Sequence, residues 1–309
     1  MRRRSFVKNI GLGTALLGTG VLPNRLLADG LGPDLIQLTI LHTNDVHSQI
    51  EPFENGRNMG KGGAARRASM LKKIRQEEEH ILLLDAGDIF QGTPYFNFFG
   101  GELEFKLMSE MGYDAVTIGN SDFDAGIDGL HQQLDHANFP FLTANYDFSD
   151  TILAGKTKPY QIFEKGPLKI GVFGLGIELE GLVARSLFKE TRYLNPLVKA
   201  NQIAEQLKKD EKCDYVICLS HLGFQYRNRK VSDVILAENS QNIDLIIGGH
   251  THTFLDEPLL VANKEGHPVM VNQAGWGGIL LGRIDVLFER NKKNKCVNCQ
   301  NLMVGAARS

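Results

Sequence analysis

The sequence predicts an α/β fold with buried sheets. Continuous apolar runs of strand length recur along the chain, amphipathic stretches of helix length separate them, and Gly, Asp, Asn or His follows many of the runs directly. Ile36–Leu41 is the first predicted strand. Lys61–Glu79 follows as a helix with a Gly-rich entry and with Arg66, Arg67, Lys72 and Lys73 on its polar side. Ile81–Asp85 is a buried strand, and Glu102–Met111 a helix closed by Gly112. Ala115–Ile118 is a strand and Gly126–Ala137 a helix. Lys169–Gly174 and Tyr215–Leu219 are strands on either side of the helix Pro196–Asp210. Asp244–Ile247 and Val269–Asn272 are further strands. Ile279–Phe288 alternates as one long strand, after which the chain turns polar and basic and reads as a loose tail over 290–309.

The chain has 309 residues, 42% apolar and 23% charged, which suits one large globular domain, read as residues 29–289. Arg3-Arg4-Ser5-Phe6-Val7-Lys8 before a Gly- and Thr-rich apolar run, Ile10–Leu22, is a twin-arginine export signal over 1–28. Export would leave the protein in the periplasm or outside the cell. Residues 1–28 hold five basic side chains and no acidic one, so their removal takes the formal charge from −2 to −7. An acidic body disfavours nucleic acid as the partner. No run of eighteen or more apolar residues is present, so no transmembrane helix is expected. Cys218 reads as a small core residue. Cys296-Val297-Asn298-Cys299 admits a tail disulfide in an oxidising compartment, whereas half a zinc ribbon would need a second pair.

The most specific feature is a set of metal-capable side chains just past five predicted strands. Asp45 and His47 stand in LHTNDVHS, Asp88 in LLLDAGD, Asn120 in VTIGNSD, His221 in CLSHLG, and His250 and His252 in IIGGHTHT. Ligands of open α/β sheets gather beyond the carboxyl ends of the strands. Asp45 and His47 are two apart, so an extended segment would point both to one side, and His250 and His252 repeat the spacing. A lone Asp after a strand is usually a turn residue, and a lone His is usually hydrogen-bonded in some ordinary way. Seven such residues after five strands is a different matter. Mixed imidazole and carboxylate donors suit Zn, Mn, Fe or similar ions. Two such ions about 3.5–4 Å apart can clamp a phosphate and generate a hydroxide near neutral pH.

LHTNDVHS, DAGDIFQGTPYF, GYDAVTIGNSDFD, SHLG, GGHTHT and VNQAGWGGILLGRIDV together resemble the N-terminal metallophosphoesterase domain of the 5′-nucleotidases, from about Leu35 to Phe288. The resemblance implies a four-layer α/β/β/α sandwich and two divalent metal ions. Asp45, His47 and His252 would hold one, Asn120, His221 and His250 the other, and Asp88 would bridge them. The implied reaction is in-line attack of metal-bound hydroxide on a phosphate ester, without a covalent intermediate. Thiosulfate-processing proteins share related motifs and are a further relation.

Two departures qualify what is implied. The family's Gly-Asn-His motif reads Gly119-Asn120-Ser121 here, followed by Asp122-Phe123-Asp124. The expected catalytic positions are therefore Asp124 and Ser121, the latter in place of a cationic donor. One lost donor of that kind costs on the order of 10²–10³ in rate. His131 and His136 read as helix-surface residues and poor substitutes. The family's C-terminal nucleoside-binding domain also has no counterpart in this sequence. A separate polypeptide or a small phosphate ester is expected in its stead; Phe90, Gln91, Tyr95 and Phe96 are candidates for the lining of a pocket mouth, although aromatics after a strand more often pack in the core. A metal-retaining but catalytically weak domain, and a phosphoesterase for a non-nucleotide ester, are the alternatives.

Overall fold

The computed structural model describes residues 35–289 and 295–305; the leader expected at 1–28 lies outside the described residues. In chain order the strands are β1 (Leu35–Thr43), β2 (Ile81–Asp85), β3 (Ala115–Val116), β4 (Tyr146–Asp147), β5 (Tyr160–Lys165), β6 (Leu168–Leu175), β7 (Arg192–Tyr193), β8 (Tyr215–Ser220), β9 (Leu245–Gly248), β10 (Leu259–Ala262), β11 (Pro268–Asn272), β12 (Leu280–Glu289) and β13 (Lys295–Met303). The helices are α1 (Ala64–Glu77), α2 (Pro94–Phe99), α3 (Glu102–Met111), α4 (Gly126–Gln133), α5 (Arg185–Phe188), α6 (Pro196–Glu205) and α7 (Asp233–Glu238).

Two sheets carry the architecture. One runs β13-β12-β1-β2-β3 and the other β10-β11-β9-β8-β6-β5. Within them β1-β2-β3 and β11-β9-β8-β6 are parallel, and the flanking pairs are antiparallel. The period-2 alternation of strand side chains sorts each run into two faces. Leu38, Ile40, Leu82, Leu84, Ile284 and Val286 from the first sheet meet Ile170, Val172, Tyr215, Ile217, Leu245 and Ile247 from the second in one inter-sheet core. The intervening residues face outward. Leu41 and Leu83 pack under α1, α3 and α4, while Phe173, Val216, Cys218, Ile246 and Val271 pack under α6 and α7. The layers are therefore α/β/β/α, and the inner strands β1, β2, β8 and β9 are buried on both faces. Each fully buried aliphatic side chain contributes about 1.5–3 kcal/mol.

Local chemistry explains where the boundaries differ from sequence expectation. α1 starts at Ala64 and not Lys61, because Gly62 and Gly63 hold φ of 75° and 100°, outside the helical region. α6 starts as expected: Asn195 caps it by accepting from the Leu197 and Val198 amides, with Pro196 in the first turn. The helical run continues as a π-turn to Asp210.

The largest correction concerns the C-terminus. A loose polar tail is expected over 290–309, but Lys295–Met303 is a strand paired antiparallel with β12 along its whole length. The outer edge of β12 would otherwise present unpaired backbone groups. Polar composition hides an edge strand whose apolar contribution is small: Cys299 against the inter-sheet core, and Leu302 against the helical layer. Cys299 carries a free thiol. Burial, aided by the nearby Asp285 carboxylate, pushes its pKa up to about 12, which disfavours the thiolate that metal binding needs.

Gly174 in β6 marks the tightest crossing. Ala144 N–H donates to its carbonyl at 2.7 Å, and a side chain there would overlap the Leu142 carbonyl oxygen, itself held by the Thr117 hydroxyl. Gly174→Ala is expected to lower unfolding free energy by about 3 kcal/mol, the upper end for overpacking of a core. Urea denaturation measures this, and a loss under 1 kcal/mol would show that the crossing relaxes easily.

Candidate metal centre

The carboxyl ends of the parallel strands of both sheets point to one edge of the sandwich, and the seven metal-capable side chains meet there. Asp45 and His47 follow β1, Asp88 follows β2, Asn120 follows β3, His221 follows β8, and His250 and His252 follow β9. They gather as two groups. Donor atoms of Asp45, His47 and His252 lie within 4.8 Å of one another, and so do those of Asp88, His221 and His250. Asn120 joins the second group through its Oδ1, 2.8 Å from His250 Nδ1. Asp88 faces both groups: Oδ1 is 3.2 Å from His221 Nε2, and Oδ2 is 3.7 Å from His47 Nε2.

The spacing works differently from the extended segment expected. Asp45, His47 and Ser48 hold φ of 51°, 51° and 52°, Asp88 55°, and His250 and His252 73° and 52°. Five of the seven residues thus occupy the left-handed region, which costs a non-glycine residue on the order of 1 kcal/mol or more. The loops are held there by neighbouring backbone. Asp45, His47 and Ser48 N–H groups donate in turn to the carbonyls of Gly87, Asp88 and Ile89 at 2.8–3.1 Å. Gly119 must lack a side chain, because a Cβ would overlap Asp88 Oδ1.

Residues that the sequence reading passed over do the anchoring. Asp122 is buried, and its carboxylate accepts from four backbone amides: Asp88 (3.1 Å), Ile89 (2.8 Å), Phe90 (3.0 Å) and Gly119 (2.8 Å). Asn44 donates to Asp45 Oδ2 at 2.6 Å and to the Gly275 carbonyl at 2.7 Å. Under the β9 loop, Asp233 accepts from Ser220 (2.5 Å) and Gln273 (3.0 Å), and Gln273 also donates to the Gly249 carbonyl. The signal was present in part, since Asp122 sits inside NSDFD and Gln273 inside VNQAGW. Sequence shows the residue types but not which amides they would reach.

The charges follow from burial and neighbours. Burial, reinforced by Asp88, raises Asp45 well above the usual carboxylate range. Burial also acts to raise Asp88, but His221 and His47 outweigh it and leave Asp88 below that range. Burial opposes charge on His221, yet Asp88 and Asp45 bring its pKa up to about 10. His250 and His252 fall to about 4, first through burial and then through neighbouring imidazoles. They are neutral at pH 7, the form that ligates cations.

Two observations test whether divalent cations fit. His221 Nε2 is fully buried without a hydrogen bond of good geometry, with Asp88 Oδ1 at 3.2 Å and Asp45 Oδ1 at 4.0 Å. His47 Nε2 and His252 Nε2 stand 2.9 Å apart, two ring nitrogens converging on one point. Mixed N and O donors with convergent lone pairs fit two divalent cations.

The expected catalytic positions lie alongside. Ser121 N–H donates to Asp88 Oδ1 at 2.8 Å and its hydroxyl to Asp88 Oδ2 at 3.1 Å. Asp124 is exposed, and partial burial and Asp88 raise its pKa. His131 and His136 sit on α4 and the turn after it, outside both groups. Of the expected pocket-mouth residues, Phe90 and Phe96 are instead buried against each other, and Phe90 packs on Phe105 as well. Only Gln91 is exposed and Tyr95 half-buried.

A family model described as calcineurin-like phosphoesterase matches residues 38–254. The chain is 36% identical over 286 residues to a snake venom 5′-nucleotidase of Gloydius brevicauda, covering 82% of this chain and 45% of that one. It is 35% identical over 287 residues to the trifunctional nucleotide phosphoesterase YfkN of Bacillus subtilis, covering 82% of this chain and 18% of that one. A solved 5′-nucleotidase precursor from Thermus thermophilus superposes with a TM-score of 0.79 at 30% identity, over 87% of this chain and 55% of that one. The chain thus spans about half or less of these relatives.

Asp233 gives the site a pH signature. Burial raises its pKa from 3.8 to about 7. The folded protein therefore binds this proton more tightly than the unfolded chain. Its contribution to stability is full below about pH 3.8, declines as pH rises through the window between, and is gone above about 7. Asp233→Asn removes the titration. In chelator-treated protein the variant is expected to gain stability relative to wild type as pH rises from 4 to 7, measured by urea unfolding. A constant difference across that window would contradict the assignment.

Proposed function

The chain belongs to the calcineurin-like phosphoesterase family, and from that premise we propose that it is an exported two-cation phosphohydrolase of the 5′-nucleotidase type, acting on phosphate monoesters. The observation that carries this reading is Asp88, whose two carboxylate oxygens face separate groups of donors. Two divalent cations held there would polarise the phosphoryl oxygens and make water a usable nucleophile near neutral pH.

The chain's own residues set the rest. Asp45, His47 and His252 form one cradle, and Asn120, His221 and His250 the other, with Asp88 common to both. Asn120 and Asp88 sit on loops joined through Asp122, which keeps the two cradles in register. Ser121 stands where the family places an imidazole. Its hydroxyl is engaged with Asp88 Oδ2, and it carries no charge to offer a phosphoryl or leaving oxygen. With a hydroxyl at position 121, Asp124 has no imidazole there to orient, and among the described residues His47 is the imidazole that acts on its charge. The uncharged Ser121 favours a second reading: a centre that keeps its cations but turns over slowly, acting with a separate polypeptide that grips the organic part of the ester. Among the described residues no helix is long and apolar enough to cross a membrane. The Arg3-Arg4 leader supports export by the twin-arginine route.

Purified protein loaded with Mn or Zn is expected to hydrolyse 5′-AMP or a small phosphate ester slowly, and chelation to abolish the activity. Ser121→His is expected to raise kcat on the order of 10²–10³-fold, the value of one charged donor at a developing oxyanion. A Ser121→His rate equal to wild type, with Ser121→Ala equally unaffected, would remove the slowed-centre reading. Complete inactivity of every form across a phosphoester panel would remove the hydrolase reading.

Replacement of Arg3 and Arg4 by Lys tests export separately. Cell fractionation should then find the precursor retained in the cytoplasm, and unchanged export would exclude the twin-arginine route.

A further inference from the structure

The chain contains one tryptophan, and it stacks on a residue of the centre. The Trp276 and His252 rings are 5.7 Å apart between centroids and 13° from parallel. On its other side Trp276 meets the edge of Phe53, with centroids 5.3 Å apart at 73°. The turn beneath it is rigid. Gly277 and Gly278 hold φ of 63° and 59°, Gly277 N–H donates to the Asp45 carbonyl at 2.7 Å, and a Cβ on Gly277 would come within 2.7 Å of the Phe53 ring. The indole is thus fixed to the same backbone that carries Asp45.

The four imidazoles of the centre differ in what orients them. Imidazoles that ligate cations ordinarily give their second nitrogen to a hydrogen-bond acceptor, which sets the ring's rotation. His47 Nδ1 faces the Phe90 carbonyl at 3.2 Å, and His221 Nδ1 the Ala86 carbonyl at 2.7 Å. His250 Nδ1 lies 2.8 Å from Asn120 Oδ1, itself one of the donors of the second group, so this contact belongs to the centre and is not an outer acceptor. His252 has no such partner on Nδ1 among the described residues, and its side chain is also the most open of those with a measured exposure, at 40% against 13% for His47 and 0% for His221. An exposed imidazole without an acceptor would rotate about its Cβ–Cγ bond. The flat face of the indole opposes that rotation.

We propose that Trp276 is a positioning residue that fixes the His252 ring by stacking, the task that backbone carbonyls perform for His47 and His221. The proposal rests on the two-cation reading above. The stacking gives the centre one half whose geometry depends on an aromatic contact and another half built on hydrogen bonds.

Being the sole tryptophan, Trp276 also reports on its own site. Full-length, chelator-stripped protein would be titrated with Mn²⁺ or Zn²⁺ and followed in parallel by calorimetry and tryptophan emission. Emission is expected to change and saturate together with filling of the Asp45–His47–His252 group, and His252→Ala to abolish that change. Trp276→Leu is expected to weaken one of the two binding steps about 10–100-fold, the usual effect of losing an outer-shell partner, and to leave the other within about twofold. Trp276→Phe, which restores a flat ring, should recover most of the loss. Two binding steps without any emission change, or wild-type affinities in Trp276→Leu, would overturn the positioning role while leaving the two-cation reading intact. Absence of binding to wild type by calorimetry would overturn both. Were Trp276→Leu unable to fold, wild-type emission and Trp276→Phe would still decide the matter.

Discussion

The site depends first on one buried carboxylate. Asp122 accepts four backbone amides from two loops, three at Asp88–Phe90 and one at Gly119. Those loops leave neighbouring strands β2 and β3, whose own pairing spans two residues, and Ser121 adds two further bonds to Asp88. A buried amide without an acceptor costs about 1–3 kcal/mol, so four converging on one side chain make a strong local constraint. Burial and Asp88 nevertheless push the Asp122 pKa up to about 7, because two carboxylates stand close in a dry place. The amides favour the charged form and the neighbourhood opposes it. A cation beside Asp88 would relieve the repulsion, so the anchor and the centre support each other.

The same tension is visible in the backbone. Asp45, His47, Asp88, His250 and His252 all sit in the left-handed region. Such residues persist only where surrounding structure over-determines them, and here the surrounding structure is the side-by-side pairing of the β1 and β2 loops, reinforced by Asn44. Strain in these loops aims side chains at shared points, as the convergence of His47 and His252 nitrogens shows. The parallel inner strands, buried on both faces, give the base against which the loops are bent.

Much of this was legible in the sequence, for identifiable reasons. Apolar runs such as Ile81–Asp85 and Tyr215–Ser220 are unambiguous because both faces are buried, and the side chains past them carry their own chemistry. What stayed hidden depends on distance in the chain or on weak patterning. β13 is polar because it is an edge strand, and β10 exposes Leu259 and Leu260, so neither alternates clearly. The two-residue spacing of Asp45 and His47 told correctly that they act together but not how, since left-handed backbone at non-glycine residues leaves no mark in the sequence. Asp122 and Gln273 were visible as residue types, but their value lies in amides brought near by folding.

On the proposed reading, Ser121 makes holding cations and turning over substrate physically separable. The donors are fixed by strand ends, by loop-to-loop hydrogen bonds and by Asp122. Ser121 lies on a single 3-10 turn, Ser121–Phe123, whose backbone is held by Asp122 below and Phe123 in the core. Its own amide reaches Asp88 Oδ1, a contact that any residue at that position keeps. Only the side chain differs, and a hydroxyl that donates to Asp88 is compatible with everything around it. The hydroxyl does make its own contacts with the donors, accepting from Asn120 Nδ2 at 3.3 Å and donating to Asp88 Oδ2 at 3.1 Å, while the amide contact and the packing of Phe123 do not depend on the side chain. Exchange of an imidazole for a hydroxyl at this position removes a charge that would face the substrate. A centre built this way can lose its rate without losing its shape, so the geometry of the donors speaks to cation binding directly and to turnover only through Ser121.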